Sequence, residues 1–264
     1  MDLPLFPLHT VLCPGVAMPL HVFEDRYQAM IGRCLAEASP FGVILIREGR
    51  EVGLGDLAVA EVGTMAEIRE ATRHHDGRYD LLAVGTQRFR LGSVRMDPEA
   101  YLIGEVTPLA EEVGRPERAQ RLADRVSRLF VRYLGLLSTA DEEPGADLGP
   151  DDQGPDPAVE LRRTAESGTS DPDASGVVDH EVRRSFLDDT ARSLAIPDDP
   201  TVLSYLLSGI VEVEPIRRQN LLEMPTSELR LAELASLLKL EIALLERRLR
   251  NYTPDPRLLA LRRN

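Results

Sequence analysis

A single lysine limits the phosphate and nucleophile chemistry that this sequence could support. The phosphate-binding loop of a nucleotide-driven motor is a glycine-rich turn ending in Lys-Ser or Lys-Thr, because the lysine must reach the β and γ phosphates. The only lysine is Lys239, which is followed by Leu240 and has no glycine loop before it. Ser236 could form a serine–lysine dyad with it, but two polar residues on a leucine-rich helix are the simpler interpretation. We therefore expect neither an ATPase nor a protease, and no enzyme of another class.

The histidines and cysteines form no recognisable metal or nucleophile motif. His74, His75 and Asp76 are consecutive, but neighbouring side chains on a strand point to opposite faces, and no further ligand follows at metal-binding spacing. Polar residues in an exposed turn are the favoured interpretation. Cys13 and Cys34 are too few for a disulfide framework, and neither lies in a nucleophile motif. No catalytic, metal-binding or cofactor-binding residue is predicted.

A row of arginines is the one surface feature that could bind a ligand. Its members recur at spacings of three and four residues, which places them on one face of a helix. They are Arg118, Arg121, Arg125, Arg128 and Arg132. Glu117 and Asp124 lie near the margin of this face and cannot balance five positive charges. Two interpretations stay open, a solvated face paired with local acids and a ligand-binding surface.

The acidic charge is concentrated in one stretch of the chain. The formal net charge is −13 at pH 7, and residues 139–181 alone hold thirteen acidic residues against two arginines, a net of −11. This stretch is rich in Gly, Pro, Asp and Ser, so it cannot bury enough apolar surface to offset its ordering entropy. We expect a disordered insertion there. The N-terminus has prolines and an acid where a secretory signal needs a basic, apolar run, so we expect a cytoplasmic protein without a membrane span.

The first part of the chain alternates short strands with one helix. Residues 23–38 have apolar residues at helical spacing, and residues 16–22 and 41–46 are typical of strands. Further strands are expected in a hairpin around Asp76 and Gly77, whose pair favours a tight turn. These strands cover residues 63–72, 79–84, 88–94 and 101–109. The pattern predicts a compact β domain over residues 1–114.

Helices replace strands after Pro116. Residues 115–138 form a connecting helix with an apolar stripe, and helical patterning returns over residues 182–264. One helix is expected from about residue 185, and another starts at Asp199 and Pro200, since an acid followed by proline suits a first turn. The longest helix repeats apolar residues at four-three spacing from Leu231 to Tyr252. Its wide apolar stripe favours packing in a bundle over a two-stranded coiled coil.

Several short motifs, in this order, resemble the substrate-binding domain of Lon proteases. In the first part they are LPLFPL (residues 3–8), CPG (13–15), PLHVFEDRY (19–27) and GVILI (42–46). In the middle they are VGTMAEI (62–68), DGRY (76–79) and GTQRFRL (85–91). In the last part they are IPDDP (196–200), LLE (221–223) and the long leucine-rich helix. The acidic insertion departs from the family pattern.

This resemblance implies an α+β fold, with a PUA-like β-barrel carrying one helix and a C-terminal helical bundle. It also implies a non-catalytic role in recognising exposed or unfolded polypeptide segments or an adaptor partner, as in the related domain of cereblon. We expect an apolar groove at the barrel or at its junction with the bundle. The alternative is an RNA-binding module that uses the arginine row, which the acidic net charge disfavours. Arg26 and Arg88, beside core aromatics, are expected to pair with carboxylates or cover rings.

Overall fold

The computed structural model describes residues 1–48, 58–141 and 196–252. Seven strands form the first part: β1 (Asp2–Leu8), β2 (Ala17–Val22), β3 (Phe41–Glu48), β4 (Ala58–Val59), β5 (Val62–Arg73), β6 (Tyr79–Met96) and β7 (Leu102–Pro108). The described helices are α1 (Asp25–Glu37), α2 (Pro116–Asp141), α3 (Pro200–Ile210), α4 (Pro215–Glu223) and α5 (Ser227–Tyr252). The predicted boundary at residue 114 falls between β7 and α2. Most of the predicted insertion, residues 142–181, and the helix expected from residue 185 to 195 lie outside the described residues.

The sheet closes on itself as a barrel. The hydrogen-bonded order β1-β7-β6-β5-β3 ends on β3, which pairs in parallel with β1 through Leu5 and Gly42. The other pairings in this ring are antiparallel. Closure removes the exposed edges that an open sheet of these strands would have. The predicted α+β class with a β-barrel and a helical bundle is confirmed.

β6 is one strand where the sequence predicts two. The sequence predicts separate strands over residues 79–84 and 88–94. In the structure β6 runs without a break, pairing first with β2 and later with β7 while β5 follows it on the other side. Gly85 belongs to the strand because the 10–16 loop lies against it. Gly85 N donates to Val16 O at 3.0 Å, and Gly85 O accepts from Gly15 N at 2.8 Å.

The helical bundle packs α2 against α5, with α3 and α4 beside them. Its core is made by Val126 and Phe130 of α2, Leu207 of α3, and Leu234 and Leu238 of α5. The predicted start of α3 is confirmed, because the Asp199 side chain accepts from the backbone N–H groups of Thr201 and Val202. This N-cap satisfies donors that otherwise have no partner in the first turn. α5 is confirmed as a bundle member whose apolar side is buried.

The N-termini of α2 and α5 are tied together by Glu228. Its carboxylate accepts from the Arg115 backbone N–H at 2.8 Å and from the Arg115 guanidinium, also at 2.8 Å. A parallel bridge between Glu112 and Thr226 places the two chain segments side by side just before these contacts. α2 and α5 therefore start together and run in the same direction.

The Glu228 contacts make the stability of the fold depend on pH. Hydrogen bonds from Arg115 lower the pKa of the Glu228 carboxyl, and the charge of Arg118 acts in the same direction. A depressed folded pKa means that the stabilisation is complete above the ordinary glutamate pKa of about 4.3 and is lost as the pH falls through the lower folded value. We expect Glu228→Gln to be less stable than the wild type near pH 6, with the difference shrinking toward pH 3 in urea unfolding.

The control for this measurement is Glu61→Gln, since Glu61 is an exposed carboxylate with only a 3.8 Å pairing to Arg90. This variant should follow the wild type at every pH. A Glu228→Gln difference that stays constant from pH 6 to pH 3 would contradict the assigned role of the carboxylate.

Candidate functional site

α2 presents two exposed flanks on either side of its buried face. Its core side is held by Ala123, Val126 and Phe130. One flank faces α3, where Val131 is 58% exposed although it is a large apolar side chain. The other flank faces α5 and holds the arginine row. Each flank could contact a different part of a ligand.

An apolar groove lies between α2 and α3. It has a volume of about 130 Å³. Its lining includes Phe130, Val131, Leu134, Leu206, Ile196 and Pro197. Ile196 is 40% exposed, so a second large apolar side chain stands at the surface here. The sequence predicts a groove at the barrel or its junction with the bundle, whereas this groove lies within the bundle, between α2, α3 and the segment that precedes α3.

The size of the groove matches one apolar side chain. A cavity of about 150 Å³ lined by aliphatic and aromatic residues accepts a benzene-sized molecule. A leucine or phenylalanine side chain of a bound polypeptide has comparable dimensions. Since burying such a side chain contributes about 1.5–3 kcal/mol, the groove can act as the pocket for a single apolar anchor.

The arginine row is divided by its partners. Arg118 and Arg132, at the two ends, pair with Glu228 at 3.2 Å and Glu246 at 2.5 Å, both on α5. Arg121 has only a 3.9 Å contact with Glu117. Arg125 and Arg128 are exposed and have no ion-pair partner within residues 1–48, 58–141 and 196–252. The two ends of the row are thus paired with acids, whereas Arg125 and Arg128 in its middle remain available to a ligand.

The barrel–bundle junction is filled by a buried polar network. Arg88 of β6, 2% exposed, donates to both oxygens of Glu111 at 3.0 and 3.2 Å. Arg230 of α5, fully buried, donates to the Tyr205 hydroxyl at 2.9 Å, and its guanidinium lies 3.8 Å from the Tyr205 ring centre. Tyr205 in turn donates to Glu111. The Glu111 carboxylate therefore pairs directly with Arg88 and is linked to Arg230 through the Tyr205 hydroxyl.

The network also uses main-chain acceptors at the end of α4. Met224 O accepts from Arg88 at 2.9 Å and from Arg230 at 3.0 Å, and Leu222 O accepts from Arg88 at 2.8 Å. Burial lowers the pKa of Arg230, and the positive charge of Arg88 lowers it further. All these contacts are internal, so the network positions the bundle on the barrel.

The arginines beside core aromatics behave as the sequence predicts. Arg26 pairs with Glu24 at 2.7 Å and lies 4.7 Å from the centre of the Tyr27 ring. Arg88 pairs with Glu111 and lies 5.6 Å from the Tyr205 ring. The structural interpretation of both residues is confirmed. Arg230 and Tyr205 were not singled out, although an arginine beside the apolar positions of a long helix is a signal for a buried guanidinium.

The residues considered for catalysis do not converge in the described part of the chain. Ser236 is exposed, and its hydroxyl donates to Ala232 O of its own helix at 3.2 Å. Cys13 and Cys34 are buried and do not form a disulfide with each other. His74 hydrogen-bonds to Asp80, not to its sequence neighbours. Among the described residues no group of three or more His, Cys, Asp or Glu side chains could hold a metal ion, and no helix is long and apolar enough to cross a membrane.

Comparisons with known proteins place the fold in a family. Residues 2–240 match the family model described as the ATP-dependent protease La (LON) substrate-binding domain. The chain is 27% identical over 154 residues to Lon protease of Parabacteroides distasonis and 28% identical over 141 residues to Lon protease of Flavobacterium johnsoniae. These alignments cover 55% and 51% of the chain but only 18% and 17% of the two relatives. The chain thus spans about a fifth of the length of the relatives it matches.

A solved structure agrees with the architecture. The N-terminal domain of Mycobacterium avium complex Lon protease superposes with a TM-score of 0.52 and 20% sequence identity, covering 90% of this chain and 98% of that one. At this identity the likeness concerns the fold alone. The closed barrel, the helical bundle and a family match over residues 2–240 together identify the chain as a member of the Lon substrate-binding domain family.

Proposed function

We propose that this chain is a non-catalytic binding module that holds exposed or unfolded polypeptide segments, or an adaptor partner, in the groove between α2 and α3. The observation that carries the proposal is an apolar pocket of about 130 Å³ whose rim exposes Val131 and Ile196. Folded proteins keep their large apolar side chains inside, so a pocket for one such side chain distinguishes unfolded from folded polypeptides.

The sequence supports the non-catalytic part of this proposal. Lys239 is the only lysine, and it lies exposed on α5 without a glycine-rich loop before it. The matched family model describes a substrate-binding domain. The reaction would then belong to a partner machine, and this chain would supply recognition. We propose a cytoplasmic location, no cofactor, and polypeptide as the ligand.

A charge placed at the rim of the groove tests the proposal. Val131→Glu puts a carboxylate where an apolar anchor would enter, and the exposed position tolerates the change in the free protein. We expect at least about a tenfold loss of affinity for a labelled, permanently unfolded polypeptide, since anchors in buried pockets dominate binding energies. Fluorescence anisotropy measures the loss directly.

The matched control is Leu240→Glu, the same type of change at a 47% exposed apolar residue on α5, away from the groove. Its affinity should equal that of the wild type. If both variants bind the unfolded polypeptide as tightly as the wild type, the groove is not the binding site.

A further inference from the structure

Three cations form a patch beside the groove, two on α2 and one on α5. We define the cationic patch as Arg125, Arg128 and Lys239, all exposed. Lys239 lies beside the two arginines because α5 packs along α2. On α5 it lies eleven residues after Glu228 and seven before Glu246, and each spacing brings it to nearly the same side of the helix at 100° per residue.

The two ion pairs fix where Lys239 lies along α2. Glu228 meets Arg118 and Glu246 meets Arg132, so the α5 edge between these acids follows the α2 edge between these arginines. Lys239 is therefore level with Arg125 and Arg128. The two acids of this edge are engaged at the ends of the row, which leaves its middle positively charged among the described residues.

The cationic patch is continuous with the apolar groove across α2. Arg128 precedes Val131 by three residues, and side chains at this spacing are neighbours on a helix surface. From Val131 to Arg125 the helix rises by about 9 Å, at about 1.5 Å per residue. An extended peptide covers that distance in about three residues. A ligand seated in the groove can thus reach the patch a few residues from its anchor.

We infer that the preferred ligands are polypeptide segments with an apolar anchor and acidic residues about three or four positions away from it. This inference rests on the proposed function and names the ligand class of the same site. The anchor fills the groove, and the acidic side chains cross α2 to meet Arg128, Arg125 and Lys239. Outside residues 139–181, which hold a net charge of −11 out of −13, the chain is nearly balanced. The cationic patch beside the groove therefore gives such ligands one preferred orientation.

Two peptides and two multiple variants test the inference in the full chain. Both peptides are fluorescein-labelled, with a central apolar anchor in glycine and serine, and one has two glutamates three and four residues from the anchor. We expect the acidic peptide to bind roughly threefold to tenfold more tightly at low salt, from about three exposed charge contacts. The preference should vanish in Arg125→Gln/Arg128→Gln/Lys239→Gln and shrink in the wild type as salt is raised.

The control variant is Arg69→Gln/Arg90→Gln/Arg217→Gln, which removes three exposed positive charges at sites outside α2 and α5. It should keep the preference. In each protein the neutral peptide is measured beside the acidic one, so a change in affinity that does not depend on the charge of the ligand appears in both.

Each result separates the two proposals. Equal binding of the neutral and acidic peptides by the wild type would overturn the inference and leave the groove as a binding site. No binding of either peptide would overturn the proposed function and the inference with it. A single-stranded RNA is tested in the same way. If it bound more tightly than the acidic peptide and lost affinity only in the patch variant, the ligand of the patch would be nucleic acid and not polypeptide.

Discussion

Replacing Arg88 by methionine is expected to destabilise the protein by about 1–3 kcal/mol or more, the usual cost of leaving buried hydrogen-bonding groups without a partner. The Glu111 side chain is 32% exposed, so water replaces part of its lost pairing. The substitution keeps most of the side-chain volume but leaves Glu111 without its two Arg88 hydrogen bonds and removes a donor from Leu222 O and Met224 O. Urea unfolding followed by circular dichroism measures the change. Since Arg88 joins β6 to the end of α4, the transition should also lose cooperativity if the bundle separates from the barrel.

The neighbouring arginine on the same strand provides the control. Arg90 is exposed, and its nearest carboxylate, Glu61, is 3.8 Å away. Arg90→Met should change the free energy of unfolding by no more than about 0.5 kcal/mol, as surface substitutions usually do. Equal unfolding midpoints for the two variants would show that the junction network contributes little to stability.

Gly85→Ala is expected to have the second large effect, a loss of about 1–3 kcal/mol or more from overpacking. A Cβ atom at this position would lie 2.4 Å from Cys13 O and 3.0 Å from Cys13 C, both backbone atoms of the loop that hydrogen-bonds to Gly85. Backbone cannot move aside as the end of a long side chain does, so either the loop or β6 must shift.

Gly135→Ala is the matched comparison for Gly85→Ala. A Cβ atom at Gly135, inside α2, would point into open space, with no described atom of another element within 4 Å. Alanine is favoured over glycine in a helix interior by roughly 0.5–1 kcal/mol. Gly135→Ala should therefore raise the thermal midpoint, whereas Gly85→Ala should lower it. A Gly85→Ala variant with an unchanged or higher midpoint would contradict the close approach of the loop to β6.

The local signals in the sequence predicted much of the fold. The Asp76–Gly77 turn lies between β5 and β6 as expected, with Gly77 at a φ of +92° that an L side chain rarely adopts. The helical spacing of residues 23–38 predicted α1, and Asp199 with Pro200 predicted the start of α3. In each case the residues that determine the conformation are adjacent in the chain, so the sequence alone contains the information.

The features that the sequence did not predict depend on contacts between distant residues. The continuity of β6 through Gly85 was not predicted, because the loop that hydrogen-bonds to Gly85 lies about seventy positions earlier in the chain. The groove is lined by side chains of α2, of α3 and of the segment before α3, and no spacing within one helix predicts that these elements meet. The arginine row could be identified by periodicity, but the glutamates that neutralise Arg118 and Arg132 lie over a hundred residues later on α5.

The common start of the helices has an electrostatic consequence. Each helix has a dipole equivalent to roughly half a positive charge at its N-terminus. α2 and α5 begin beside each other, and Ser227 hydrogen-bonds to Thr201 in the first turn of α3, so three positive helix ends converge at one pole of the bundle. Asp199 and Glu228 supply negative charge at this pole. α2 and α5 run in the same direction, so the bundle is polarised along these two helices. The two carboxylates offset the positive field that the three neighbouring helix starts would otherwise concentrate at one end.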